Sequence, residues 1–306
     1  MRRLRIVFMG TPEFAVPSLQ ILVENQFNVV AVITALDKPR GRGQKMLYSP
    51  VKSYALEHEI DVLQPPNLKA KSFLTKLRKY EADLQVVVAF RMLPEVVWDM
   101  PSIGTFNLHA SLLPQYRGAA PINWSIINGE KETGVTTFFI RHEIDTGNII
   151  FQEKESISSD DTAGTLYERL KEKGAELILK TVTAISEGDY PQTPQDMEQL
   201  IKQAPKIYKE TCEIDWNQPA EDIVNFVRGL SPYPTAWTII KGKVFKVLKV
   251  CMTELEGKST KVGEWTSDQK NFLQFKAADQ LVSIQQLQAP GKKAMDIADF
   301  LRGNKL

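Results

Sequence analysis

Cysteine is nearly missing from this chain: Cys212 and Cys251 are the only two in 306 residues. Two distant cysteines build neither a disulfide framework nor a Cys-rich zinc site, and such usage suits a reducing compartment. Histidine is scarce as well, with His58, His109 and His142 as the three candidates for imidazole chemistry. Charge of one sign is not in excess. Lys and Arg number 38 against 37 Asp and Glu, for a formal net charge of +1, which excludes a protein that wraps nucleic acid with its whole surface and leaves only a local basic patch. No apolar run has the length to cross a bilayer, and the N-terminal one stops at Gly10, too short for a secretion signal. Together with a mean hydropathy of −0.23, this predicts a soluble cytoplasmic protein.

Familiar motifs are missing too. The first strand–turn–helix passes through Gly10-Thr11-Pro12-Glu13-Phe14 and lacks Gly-x-Gly-x-x-Gly, which disfavours an NAD dehydrogenase. There is no phosphate loop ending in Gly-Lys-Ser/Thr, no His-Glu-x-x-His and no Gly-x-Ser-x-Gly elbow.

Two kinds of pattern are present. Up to about residue 189, short apolar runs (Arg5–Met9, Phe27–Ile33, Leu84–Phe90) alternate with amphipathic stretches such as Leu68–Tyr80 and Thr162–Ser186. Continuous Val/Ile runs between helices predict a doubly wound α/β domain around a mostly parallel sheet, buried on both faces. A polar, Pro-punctuated stretch over 190–206 then reads as a linker. From 207 to 306 one helix, Ala220–Leu230, is followed by β-rich segments: Ala236–Ile240, Val244–Val250, Asn271–Phe275 and Leu281–Leu287. Gly242 suits a hairpin between the first two, and the whole predicts a smaller β-barrel or sandwich. Lys241, Lys243, Lys246 and Lys249 fall in that hairpin, and strand alternation predicts that they divide between its faces.

The segment with chemical content is Phe106-Asn107-Leu108-His109-Ala110-Ser111-Leu112-Leu113-Pro114. As a strand it puts Phe106, Leu108 and Ala110 on one face, and Asn107, His109 and Ser111 on the other. An amide and an imidazole side by side near the carboxyl end of a strand lie where open α/β sheets bind ligands. The pair suits acyl transfer without a covalent intermediate: Asn107 donates to an oxyanion, and His109 handles the proton of an attacking amine. Imidazoles in such sites are oriented by a carboxylate. Asp145, in the turn Asp145-Thr146-Gly147 between two strand-like runs, is the candidate.

These residues carry a resemblance. Phe106-Asn107-Leu108-His109, then Ser111-Leu112-Leu113-Pro114, Tyr116-Arg117-Gly118 and Asp145-Thr146-Gly147 are similar to the folate-dependent formyltransferases. The resemblance implies a Rossmann-like catalytic domain (1–189), a linker (190–206) and an OB-like β-barrel domain (207–306) that binds tRNA. It implies catalysis by Asn107, His109 and Asp145, with 10-formyltetrahydrofolate as formyl donor, no metal, and folate contacts from Ser111, Leu112, Leu113 and Pro114. Three further segments resemble the branch of the family whose acceptor is methionine on initiator Met-tRNA: Phe8–Phe14, Arg40-Gly41-Arg42-Gly43-Gln44-Lys45 with Ser49-Pro50-Val51-Lys52, and Gly291–Met295 with Phe300–Gly303. On that reading Lys38, Arg40, Arg42 and Lys45 form a basic loop on the tRNA acceptor end. Phe14 is the candidate to line a methionine pocket, with Met46 beside it and Met9 expected in the core, and the protein is expected to act as a monomer with no membrane partner. One departure is Phe90-Arg91, where the family has Tyr-Gly near the folate pocket. The rivals are a sugar-nucleotide formyltransferase and a noncatalytic tRNA-binding protein on the same scaffold.

Overall fold

The computed structural model describes residues 4–40, 45–196, 200–253 and 261–306. The chain forms two compact units, and neither is one continuous stretch. The first runs to Arg117, resumes over Gly134–Glu155 and ends with Tyr167–Lys202; the second takes Gly118–Thr133, Ser156–Leu166 and Gln203–Leu306. A division into 1–189, 190–206 and 207–306 is thus simpler than the packing, because three strands, Arg117–Gly118, Glu132–Phe139 and Ile149–Ser156, and the long helix Ala163–Glu187 carry residues of both units.

The first unit is built on a seven-stranded sheet in the spatial order Ile149–Ser156, Glu132–Phe139, Gly104–His109, Leu84–Val88, Arg5–Gly10, Asn28–Ile33, Val62–Leu63. From Val62–Leu63 across to Gly104–His109 the pairs are parallel, and Glu132–Phe139 then joins antiparallel. The reason is legible in the residues. Ile6, Val7, Phe8 and Met9 are fully buried, which a strand covered on both faces requires. Leu84–Val88 is buried throughout, including Gln85, whose carbonyl accepts the Thr105 hydroxyl at 3.0 Å. The long helix packs closely on this sheet at Gly174, where a Cβ would lie 2.7 Å from the Leu108 side chain.

The predicted strand across 106–114 is shorter than expected. It ends at His109, and the chain then turns through a cis Leu113–Pro114 peptide. Met9 is a core residue packed among Val7, Ile33 and Val87, as expected. Helix Leu68–Tyr80 contracts to Lys71–Arg78.

The second unit is a curled antiparallel sheet in the order Ala236–Ile240, Lys243–Thr253, Leu281–Gln288, Leu273–Lys276, Trp265–Ser267, with Ala294–Asp296 also paired to Leu281–Gln288. Helix Ala220–Leu230 covers its core, where Trp216 stacks on Phe275 at 4.1 Å between ring centroids. Lys241 and Gly242 join the first two strands with φ of 48° and 73°, the left-handed pair that a tight hairpin needs. The register of Lys243–Thr253 shifts at two points between Val247 and Val250. The first shift leaves Leu248 as one extra residue on this strand, and the second leaves Gln285 as one extra residue on its partner; Lys246 and Lys249 are both exposed while Val247 and Val250 are both buried. The expected alternation therefore fails for Lys246 and Lys249 alone; between Lys243 and Lys246 the register is regular and the two still fall on opposite faces.

Candidate active site

His109 is the last residue of the strand Gly104–His109 and pairs with Thr136 of the neighbouring strand. Its ring is buried. Nε2 lies 2.9 Å from the Tyr116 carbonyl oxygen. A carbonyl only accepts, so Nε2 carries a proton and donates. Nδ1 is then the nitrogen that gains or loses a proton, and it faces the Asp145 carboxylate at 3.9 Å. That distance is an ion-pair separation for an imidazolium, and too long for a direct hydrogen bond. Asn107 lies two residues earlier on the same strand and is half-buried. Its side chain leaves the face that His109 leaves, about 7 Å away along the strand.

Asp145 is remote in sequence and is brought in by the turn that precedes the strand Ile149–Ser156. Its φ is +56°, a conformation uncommon outside glycine. Gly147 ends the turn where a Cβ would sit 1.6 Å from the Phe139 carbonyl oxygen, so no other residue fits there. Arg117 is buried nearby. Burial pulls its guanidinium below the usual value, and the charges of Asp145 and Glu143 push back up. It remains a cation at any physiological pH.

The segment between these groups is tied down on several sides. The Ser111 hydroxyl donates to the Gln115 carbonyl at 2.6 Å, and the Leu113 N–H donates to the Thr136 hydroxyl at 3.2 Å. Gln152 donates to the Leu113 carbonyl at 2.9 Å and to the Thr136 hydroxyl at 3.0 Å. Ser111, Leu113 and Pro114 are buried, whereas Leu112 is half-exposed. Of these four side chains, Leu112 is therefore the one that presents surface. Phe14 is buried edge-to-face against Tyr167, with centroids 5.2 Å apart. At the Phe90-Arg91 departure, the Arg91 guanidinium donates to the carbonyls of Pro65 and Pro66.

The basic segment forms a short hairpin, Lys38–Arg40 with Lys45–Leu47. Lys38 and Met46 are exposed. Arg42 lies outside the described residues, and of Arg40 and Lys45 only the backbone is described. The base of the hairpin is clamped. Lys52 Nζ lies 2.6 Å from Asp37 and 2.8 Å from the Gln64 carbonyl oxygen, and the Gln64 amide donates to Asp37 at 2.9 Å.

Sequence reasoning missed Gln195. It lies in the stretch expected to be a linker, between Pro194 and Asp196, with nothing in the local pattern to mark it. That stretch is not free. Thr193 and Ile149 exchange backbone hydrogen bonds at 2.8 and 2.9 Å, and Gln195 is buried against the Asp145 turn. Thr136 and Gln152 were equally silent, because a hydroxyl and an amide earn their roles only from partners in other elements. Among the described residues no group of His, Cys, Asp and Glu is arranged to hold a metal, and no helix is long and apolar enough to cross a membrane.

Comparison with known proteins identifies the family. Residues 4–182 match the formyl transferase family, and 206–305 match the formyl transferase C-terminal domain. A methionyl-tRNA formyltransferase of Bacteroides fragilis is 53% identical, over 98% of this chain and 95% of the relative. One of Flavobacterium johnsoniae is 50% identical, over 99% of this chain and 97% of its own. Among solved structures, WlaRD, a sugar 3N-formyl transferase, has a TM-score of 0.67 at 22% identity, covering 96% of this chain and all (100%) of its own. HypX from Aquifex aeolicus, in complex with tetrahydrofolic acid, has a TM-score of 0.64 at 21% identity, covering 98% of this chain and 47% of its own. With both segments matched and relatives 50–53% identical over nearly the whole chain, the chain belongs to the formyl transferase family.

Proposed function

We propose that this protein transfers the formyl group of 10-formyltetrahydrofolate to the free α-amine of methionine esterified to initiator tRNA, in support of translation initiation. The observation that carries the chemistry is the meeting of His109 and Asp145 at the end of the strand that also bears Asn107. Curated relatives at 50–53% identity over nearly the whole chain carry the name of this activity, whereas the sugar formyltransferase neighbours are only 18–22% identical. This favours a tRNA acceptor over an amino-sugar nucleotide.

The amine attacks the formyl carbon, and the carbonyl electron pair moves to oxygen. Asn107 donates to that oxygen, a contribution of about 10²–10³ in rate for such donors. The bond to the folate nitrogen then breaks. The amine loses one proton and the folate nitrogen gains one, so the step balances. His109 is suited to the exchange at Nδ1, because Nε2 is held by Tyr116. Asp145 stabilises the imidazolium while it exists. Leu112, flanked by buried Ser111, Leu113 and Pro114, borders the donor. Phe14 borders the methionine side chain, and Lys38, Arg40, Arg42 and Lys45 contact tRNA phosphates. The intact Asn107, His109 and Asp145 set speaks against a noncatalytic tRNA-binding protein. The protein acts in the cytoplasm as a monomer and uses no metal.

The test is to incubate the protein with 10-formyltetrahydrofolate and, in parallel, initiator Met-tRNA or an amino-sugar nucleotide. N-formylmethionine still esterified to the tRNA, with free tetrahydrofolate, is the expected product. Product from the sugar nucleotide alone would overturn the reading.

A further inference from the structure

Asp145 sits in the left-handed region at φ +56°, which is uncommon for non-glycine residues although aspartate enters it more readily than most. One buried side chain from a distant segment engages its turn. The Gln195 amide nitrogen donates to the Asp145 carbonyl at 2.8 Å and to the Gly147 carbonyl at 2.9 Å. Its amide oxygen accepts from the Arg117 guanidinium at 2.5 Å. Both N–H groups and the oxygen of the amide are engaged, and Gln195 is only 9% exposed. Two residues earlier, Thr193 docks its segment on Ile149, which sets Gln195 at the height of the turn. At the other end, the turn is confined by Gly147 against the Phe139 backbone.

We propose that Gln195 is a positioning residue for the transfer reaction: by bridging the carbonyls of Asp145 and Gly147 to Arg117, it holds the turn so that the Asp145 carboxylate faces His109 Nδ1. Only an amide meets the requirement. A glutamate there accepts from Arg117 but has no proton for the two carbonyls. This inference rests on the site reading above, and it makes the segment after the long helix part of the catalytic machinery.

The experiment compares kcat and KM for formylation of Met-tRNA by the full chain, its Gln195→Ala, Gln195→Glu and Asp145→Ala variants, and the Gln195→Ala/Asp145→Ala double variant. Misplacing a catalytic group by an ångström costs on the order of 10²-fold, so both Gln195 variants are expected to lower kcat about 10- to 100-fold while KM for each substrate holds. In the absence of the Asp145 carboxylate the clamp has nothing to aim, so adding Gln195→Ala to Asp145→Ala is expected to cost nothing further. Wild-type kcat in either Gln195 variant would overturn the proposal. So would an equal loss with and without Asp145, which is the mark of a merely structural role. Should Gln195→Ala fail to fold, Gln195→Glu keeps the side-chain volume and reads the same quantity. An unchanged kcat in Asp145→Ala would instead defeat the site assignment itself, and this inference with it.

Discussion

At the scale of single residues, the arrangement of His109 decides which chemistry is open to it. Its Nε2–H is committed to the Tyr116 carbonyl at 2.9 Å, so in the proposed mechanism the ring works through Nδ1 and the carboxylate beyond it. In the same mechanism Asn107 has the separate task of meeting charge that exists only in the transition state. An interaction of that kind raises kcat and leaves ground-state binding alone. Asn107→Ala is therefore expected to lower kcat by about 10²–10³ with KM changed little, measured as initial formylation rates at saturating tRNA and donor. A rise in KM with kcat intact would assign Asn107 to substrate binding. Asn107 and His109 stood out in the sequence because polar and apolar positions alternate there with the period of a strand. Gln195 and Thr136 did not, since burial of an isolated polar residue leaves no mark on its neighbours.

At the scale of elements, turns and hairpins are fixed by side chains that bond to backbone. Asp268 accepts from the backbone N–H groups of Lys270, Asn271 and Phe272 at 2.7–3.1 Å, closing the loop before the strand Leu273–Lys276. These bonds, led by that of Asn271, hold its carboxyl well below the ordinary value of 3.8. Asp37 is lowered in the same sense, first by its bond to Lys52 and then by that to Gln64. A carboxyl depressed in the folded state stabilises it fully above the unfolded value, and that stability is lost as pH falls through the folded value. Melting temperature is thus expected to drop as pH goes from about 4 downward, and to drop less steeply in Asp268→Asn, whose loop keeps an acceptor but does not titrate. Equal slopes in calorimetric scans of the two proteins would remove Asp268 from the account. Helix Ala220–Leu230 and strand Ala236–Ile240 have the bounds that their residue patterns predicted. The bulge that exposes both Lys246 and Lys249 was invisible, because it arises from pairing with Leu281–Gln288 and not from the strand's own residues.

At the scale of the whole molecule, a net charge of +1 gives no general attraction for a polyanion. Use of tRNA must rest on local cations, and the hairpin based on the Asp37–Lys52–Gln64 clamp is the proposed place. Each phosphate contact releases counterions, which makes binding fall steeply with salt. KM for Met-tRNA is expected to rise between about 50 and 200 mM salt while KM for the folate donor stays flat, and Arg42→Ala is expected to lessen the salt slope by about one contact. An equal effect of the substitution on both substrates would argue against the hairpin as a tRNA contact.

Local order was written in the sequence. The buried runs of the sheet, the long helix, the β-rich second half and the alternation that pairs Asn107 with His109 all follow from residue periodicity, which needs only the chain's own geometry. The meeting of Asp145 with His109, the anchoring of Nε2 on Tyr116 and the burial of Gln195 against a turn some fifty positions away belong to the tertiary structure. They arise where separate elements are packed together, and periodicity within one element carries no information about which partner it will face.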